Sequence, residues 1–289
     1  MIACCHWSGQ IARGRCRNSH LTQTYTRYLP FDAIDSPRFM DRRQYKNPPI
    51  HEAVCGIQFA PGGDWDPTYP SLLYARVRNK YAGKSREQKL VNVEPNPTAI
   101  QGKGAAGMTV NEITRLQFVT PDEKLVLGVY PDNLSVSAIR PYPGWEIFRP
   151  AIADALTAYS DIATPAAVRR IGVRYINIVE VDGDIDALLG CFAEKPSALP
   201  GSNSHITNFS SRYEYLYTDE PIRVMVTMAR ILGAANKPSS VFDIETSMDW
   251  GAEPLPLEQT MSRVDELRRR ERVVFESLIT DRARELFDA

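Results

Sequence analysis

The sequence predicts an α+β fold: two tandem strand-helix-three strands-helix halves, mainly antiparallel sheets with helices packed on one face. Three observations carry this. Three short alternating runs lie between residues 112 and 139, split by the turns Thr120-Pro121-Asp122-Glu123 and Pro131-Asp132-Asn133, which is the pattern of an antiparallel meander. The same order of elements returns after residue 164, with Thr218-Asp219-Glu220-Pro221 standing where Thr120-Pro121-Asp122-Glu123 stood. The 289 residues are 43% hydrophobic and 24% charged, enough to bury the core of one large domain or two smaller ones.

In the first half, over 44–163, Asn47-Pro48-Pro49 punctuates the chain and 52–59 reads as a strand. A helix over 65–81 follows a proline-rich entry, with Leu72, Leu73, Ala75 and Val77 in helical period. The polar stretch 82–109 is expected to be a long loop. Strands follow over 112–119, 125–130 and 134–139, and then a helix over 145–159 with Phe148, Ile152, Leu156 and Tyr159 in one stripe.

The second half, over 164–289, opens with a long strand at 171–181 and a short helix at 185–192. Asp184 is the expected N-cap of that helix. Strands are expected near 205–217, 221–231 and 240–248. A long C-terminal helix runs from Leu257 to the late 270s, with Met261, Val264, Leu267, Val274 and Leu278 on one face and Arg268, Arg269, Arg270 and Arg272 mostly on the other.

Residues 1–39 show neither period and hold five arginines against Asp32 and Asp35. They read as a disordered leader, with Met40 the expected initiator and a basic partner-binding arm the rival reading. Cys4, Cys5, Cys16, His6 and His20 lack the Cys-x-x-Cys knuckle of a zinc site, so no metal is expected there. Cys55 and Cys191 sit in apolar settings and read as buried thiols of a reduced, cytoplasmic protein.

Composition and motifs narrow the function classes. The net charge of −1 gives no general pull toward nucleic acid or anionic membrane. Gly102-Lys103-Gly104-Ala105-Ala106-Gly107 fits a dinucleotide pattern but lacks the strand before and the helix after it. Asp182-Gly183-Asp184-Ile185-Asp186 starts like a calcium loop, yet its turn glycine and closing glutamate would fall on Ala187 and Ala193. His51 and His205 stand in no metal-binding spacing, and no nucleophile elbow occurs. No catalytic residue, metal or cofactor is expected.

The candidate polar site is built on Arg174, Tyr175, Asn177, Glu52, Asp243 and Glu245. Arg174 shares a strand face with Ile176 and Ile178, while Val173, Tyr175 and Val179 line the other. A strand apolar on both faces is buried, so Arg174 needs an acidic or carbonyl partner, with Glu52, Asp243 and Glu245 the candidates. A structural ion pair and a ligand-binding arginine both fit.

Three blocks carry a family resemblance: Asn47-Pro48-Pro49-Ile50-His51-Glu52-Ala53-Val54, Ile171-Gly172-Val173-Arg174-Tyr175-Ile176-Asn177, and Phe275-Glu276-Ser277-Leu278-Ile279-Thr280-Asp281-Arg282-Ala283-Arg284-Glu285-Leu286-Phe287. They resemble the hallmarks of a sporadically distributed, uncharacterised prokaryotic protein family, over about residues 44–288. The resemblance implies no settled activity; the family's patchy distribution is like that of genes in mobile, defence or toxin–antitoxin cassettes. The expectation is a non-enzymatic binding or regulatory protein whose partner is another protein, with neither membrane nor nucleic acid as target. The alternative is an enzyme or nucleotide-type ligand binder with a dispersed site in the groove between the halves.

Overall fold

The computed structural model describes residues 44–60, 65–95, 108–197, 199–200, 203–233 and 236–289. The leader 1–39, Met40 and the glycine-rich 102–107 motif lie outside the described residues. Residues Asp41–Ala289 form one compact unit.

The chain is mixed α and β, with a single antiparallel nine-stranded sheet. The strands are β1 (Ile50–Phe59), β2 (Arg86–Pro95), β3 (Met108–Val119), β4 (Leu125–Tyr130), β5 (Asn133–Ile139), β6 (Val168–Glu180), β7 (Ser210–Leu216), β8 (Ile222–Leu232) and β9 (Pro238–Asp249). The helices are α1 (Tyr69–Val77), α2 (Trp145–Ala163), α3 (Ile185–Leu189), α4 (Thr260–Leu278) and α5 (Asp281–Asp288), with a 3-10 turn at Leu257–Gln259. Spatial order is β2-β3-β4-β5-β1-β6-β9-β8-β7, so β1 and β6 lie side by side near the centre. The separate sheets expected for the two halves are thus one sheet, joined through the β1–β6 ladder, in which Gly56 faces Gly172.

A further expectation needs correction. The 82–109 stretch is not one long loop: it contains β2 and the start of β3, and β2 pairs with β3 along its whole length. The long C-terminal helix runs as expected, over Thr260–Leu278. It stops at Leu278, Ile279 takes an extended backbone, and α5 restarts at Asp281. The extended stop lets Ile279 bridge Phe192 and bury its side chain.

Strand alternation sorts the residues onto two faces. On the inner face the register runs Phe118, Leu127, Val136, Cys55, Val173, Thr246, Val224 across seven strands. All seven are buried. Helix side chains close over this face. Tyr159 of α2 stacks on Phe59 with ring centroids 4.6 Å apart, Phe275 of α4 lies 5.8 Å from Phe242, and Thr246 Oγ1 donates to Leu267 O at 2.9 Å. Asp184 caps α3, accepting from Ala187 N at 2.8 Å. The chain start is tied to its end: Asn47 N donates to Phe287 O at 2.8 Å, and the Tyr45 ring meets the Phe287 ring edge-on.

One register step away, the outer face carries a different row: Gln117, Gly128, Ser135, Gly56, Gly172, Ser247, Arg223, Leu216. Its middle five residues are glycine or serine and cross five strands, about 19 Å at the usual strand spacing.

Candidate functional site

Strand β6 divides the predicted site. From Arg170 onward its even-numbered residues face outward and its odd-numbered residues inward, so Arg174 is separated from Tyr175 and Asn177 by the sheet itself. Glu52, Asp243 and Glu245 fall on the outer face with Arg174.

On the outer face the Arg174 fork donates to Asp243 through Nε at 2.8 Å and Nη2 at 2.6 Å. This bidentate bond raises the Arg174 pKa against the opposing effect of burial, and the nearby charges of Asp243, Glu245 and Glu52 add to it. The Arg174 side chain nevertheless remains 42% exposed over a carboxylate that is 8% exposed. The reading of β6 as buried on both faces is therefore corrected: Ile176 and Ile178 flank Arg174 on a half-exposed surface.

Three more arginines frame the glycine–serine row. Arg170, four residues before Arg174 and so on the same face, pairs with Glu245. Arg115 lies flat over Gly128 and donates to Ser135 Oγ. Burial pulls its pKa down, and its Nε has no hydrogen-bond partner among the described residues. Arg223 pairs with Glu214 at the β8–β7 end. There Arg170, Leu216, Pro221, Arg223, Ser247 and Asp249 line a cleft of about 380 Å³. At Gly56 the row is open: a Cβ placed there would meet nothing within 4 Å.

The inner-face members have other roles. Asn177 is buried and its amide donates to Phe242 O at 3.0 Å, which satisfies it within the sheet. The Tyr175 hydroxyl lies 3.1 Å from that of Tyr142. Over the Tyr175 ring sits Arg268, its Cζ 4.3 Å from the centroid and 5.9 Å from that of Trp145. Arg268 also pairs with Glu271 one turn on; the two side chains are 17% and 3% exposed. Burial pushes the Glu271 carboxyl up to about 7, even with Arg268 against it, and pushes the Tyr175 phenol well above its ordinary value. The expected exposed stripe of arginines on the last helix is broken accordingly. Arg268 turns inward, Arg270 is largely covered and pairs with Glu220 at 2.7 Å, and Arg269 is exposed.

Sequence reasoning missed Arg170, Arg115, Arg223, Arg268 and Glu271. A signal existed for three of them. Arg170 shares the even face of β6, and Arg268 and Glu271 fall four residues after Val264 and Leu267 on the buried stripe of α4.

Cys55 and Cys191 are buried free thiols, and burial pushes the Cys55 pKa up to about 12. Among the described residues no group of three His, Cys, Asp or Glu could hold a metal ion, and no helix is long and apolar enough to cross a membrane. No protein-family model matches the chain, and no curated protein is significantly similar to it.

Proposed function

We propose that the chain is a non-enzymatic binding or regulatory protein that holds a partner protein on the outer face of its sheet. The observation that carries this reading is the cleft lined by Arg170, Arg223, Ser247 and Asp249, continuous with the glycine–serine row, which is open at Gly56. Such a surface offers cations, anions and hydroxyls side by side with little side-chain bulk, which suits an extended polypeptide of mixed charge. It does not suit a phosphate, because each framing arginine of the cleft already has a carboxylate.

The reading includes a tandem origin, with the helices on one face. In its support, β1 and β6 are central neighbours, β5 and β9 flank them, β4 and β8 come next, and a long helix follows β5 and β9. Two buried thiols suit a reducing compartment such as the cytoplasm. The family resemblance favours a gene setting of the mobile, defence or toxin–antitoxin type. The test is retention of a partner protein on immobilised chain. The double substitution Arg170→Ala/Arg223→Ala, with its fold checked by circular dichroism, is expected to abolish retention. Undiminished retention would remove the outer face from the reading.

One observation favours a second reading, a small-ligand or enzymatic site at the junction of the halves. Tyr142, Trp145, Tyr175, Arg268 and Glu271 converge there, with a carboxyl that titrates near neutrality. A nucleotide panel that raises the melting temperature of the parent, but not of Arg268→Met, would favour it.

A further inference from the structure

The two edges of the sheet differ. The β2 edge runs Arg86-Glu87-Gln88-Lys89 and ends at Pro95, and lysine and proline are the residues that keep sheet edges from pairing. The β7 edge, Ser210–Leu216, has neither. Its residues are mostly exposed, with Tyr213 and Tyr215 about half exposed and Leu216 more so.

The ladder shows which backbone groups of β7 are in use. Tyr217 N donates to Ile222 O, and Arg230 N donates to Phe209 O, both at 3.0 Å. With the β7–β8 register, this alternation turns the N–H and C=O groups of the odd-numbered residues toward β8. Those of Ser210, Arg212, Glu214 and Leu216 point away from the sheet, and no strand among the described residues pairs with them.

We propose that β7 pairs antiparallel with β7 of a second copy of this chain, continuing the sheet across a twofold axis at Tyr213. Full overlap of the four outward residues allows one symmetric register. It sets Arg212 opposite the second copy's Glu214, Glu214 opposite its Arg212, and Ser210 and Leu216 opposite each other. Each of these pairs exchanges two backbone hydrogen bonds. The same register places opposite charges face to face, Glu214 also accepting from Arg223 of its own chain, whereas a shift of two residues either way brings Arg212 onto Arg212 or Glu214 onto Glu214. Backbone pattern, overlap and charge thus select the same pairing. On the inner side the two Tyr213 rings meet at the axis, where the closer, non-hydrogen-bonded spacing suits aromatic contact.

The test is mass in solution at micromolar concentration by light scattering, using the full chain. The parent is expected at twice 32.5 kDa. Arg212→Glu and Glu214→Arg, each alone, set like charges opposite one another and are expected at 32.5 kDa with unchanged circular dichroism. Mixed in equal amounts, the two variants restore opposite charges in both pairs and are expected to recover the doubled mass. A monomeric parent, a dimer that persists in Arg212→Glu, or a mixture that stays monomeric would each overturn the pairing.

Discussion

Two arginine–carboxylate pairs lie on opposite sides of the central strands. Beneath the inner face, Arg268 and Glu271 are sealed by Tyr175, Trp145 and the body of α4, and little of either side chain reaches solvent. On the outer face, Arg174 covers Asp243 but keeps much of its own surface in water. The chemistry of the two pairs is the same and the surroundings are not. A sealed pair must compensate the desolvation of both ions, and losing one partner strands the other in a low-dielectric interior. A half-open pair leaves one ion hydrated, so its rupture is milder and its groups stay available to a partner. Burial, and not residue type, separates the pair that holds the fold from the pair that can serve recognition.

The comparison breaks most sharply at Arg268. Arg268→Met strips Glu271 of its cation and is expected to lose about 3–5 kcal/mol of stability at pH 8 by urea unfolding. At lower pH the loss should shrink, because a protonated Glu271 needs no cation.

The same carboxyl gives a pH signature of the parent. The Glu271 pKa is raised in the folded chain, so the fold takes up a proton more readily than the unfolded chain does. Its contribution is fully present below the ordinary carboxyl value of 4.5 and is lost as pH rises through about 7. Parent stability is expected to rise between pH 8 and about pH 5.5, by up to roughly 2 kcal/mol. Glu271→Gln should flatten that rise; a slope unchanged by the substitution would assign it to other groups.

How far these features were legible follows from what each residue needs. Both long helices are legible because α2 and α4 bury one regular face each, and periodicity records burial; the meander is legible because its turns bracket β4 and β5, which are buried on both faces. Strand β2 leaves no such record. Glu87, Gln88, Lys89 and Asn92 give it no apolar alternation, and it is ordered by its ladder to β3. Arg174's need for a partner was legible, but the choice of Asp243 was not: the β6–β9 register sets Arg174 opposite Glu245, Arg170 holds that carboxylate, and Arg174 reaches diagonally to Asp243. Arg268 and Glu271 stood on the apolar stripe of α4, where their charge argued for solvent. The Tyr175 ring, from a strand some ninety residues earlier, supplies the cover that reverses that reading.

A smaller effect is expected on the outer side. Arg174→Met leaves Asp243 short of a donor, yet water can reach the vacated position. The expected loss is about 1–3 kcal/mol, the range for an unsatisfied buried acceptor. The smallest effect belongs to the open row. Gly56→Ala meets no atom within 4 Å, and is expected to change stability by less than about 1 kcal/mol, toward gain, by restricting the unfolded chain. A large loss there, measured by thermal melt, would mean that the outer face at Gly56 is covered.

The most direct test sets Arg268→Met beside Arg174→Met in urea unfolding at pH 8 and pH 5.5. The inner substitution should be the more damaging at pH 8, and its loss should diminish at pH 5.5 as Glu271 takes up its proton. An equal or greater loss from Arg174→Met at pH 8, or an Arg268→Met loss that does not change with pH, would contradict the division into a sealed inner pair and an available outer one.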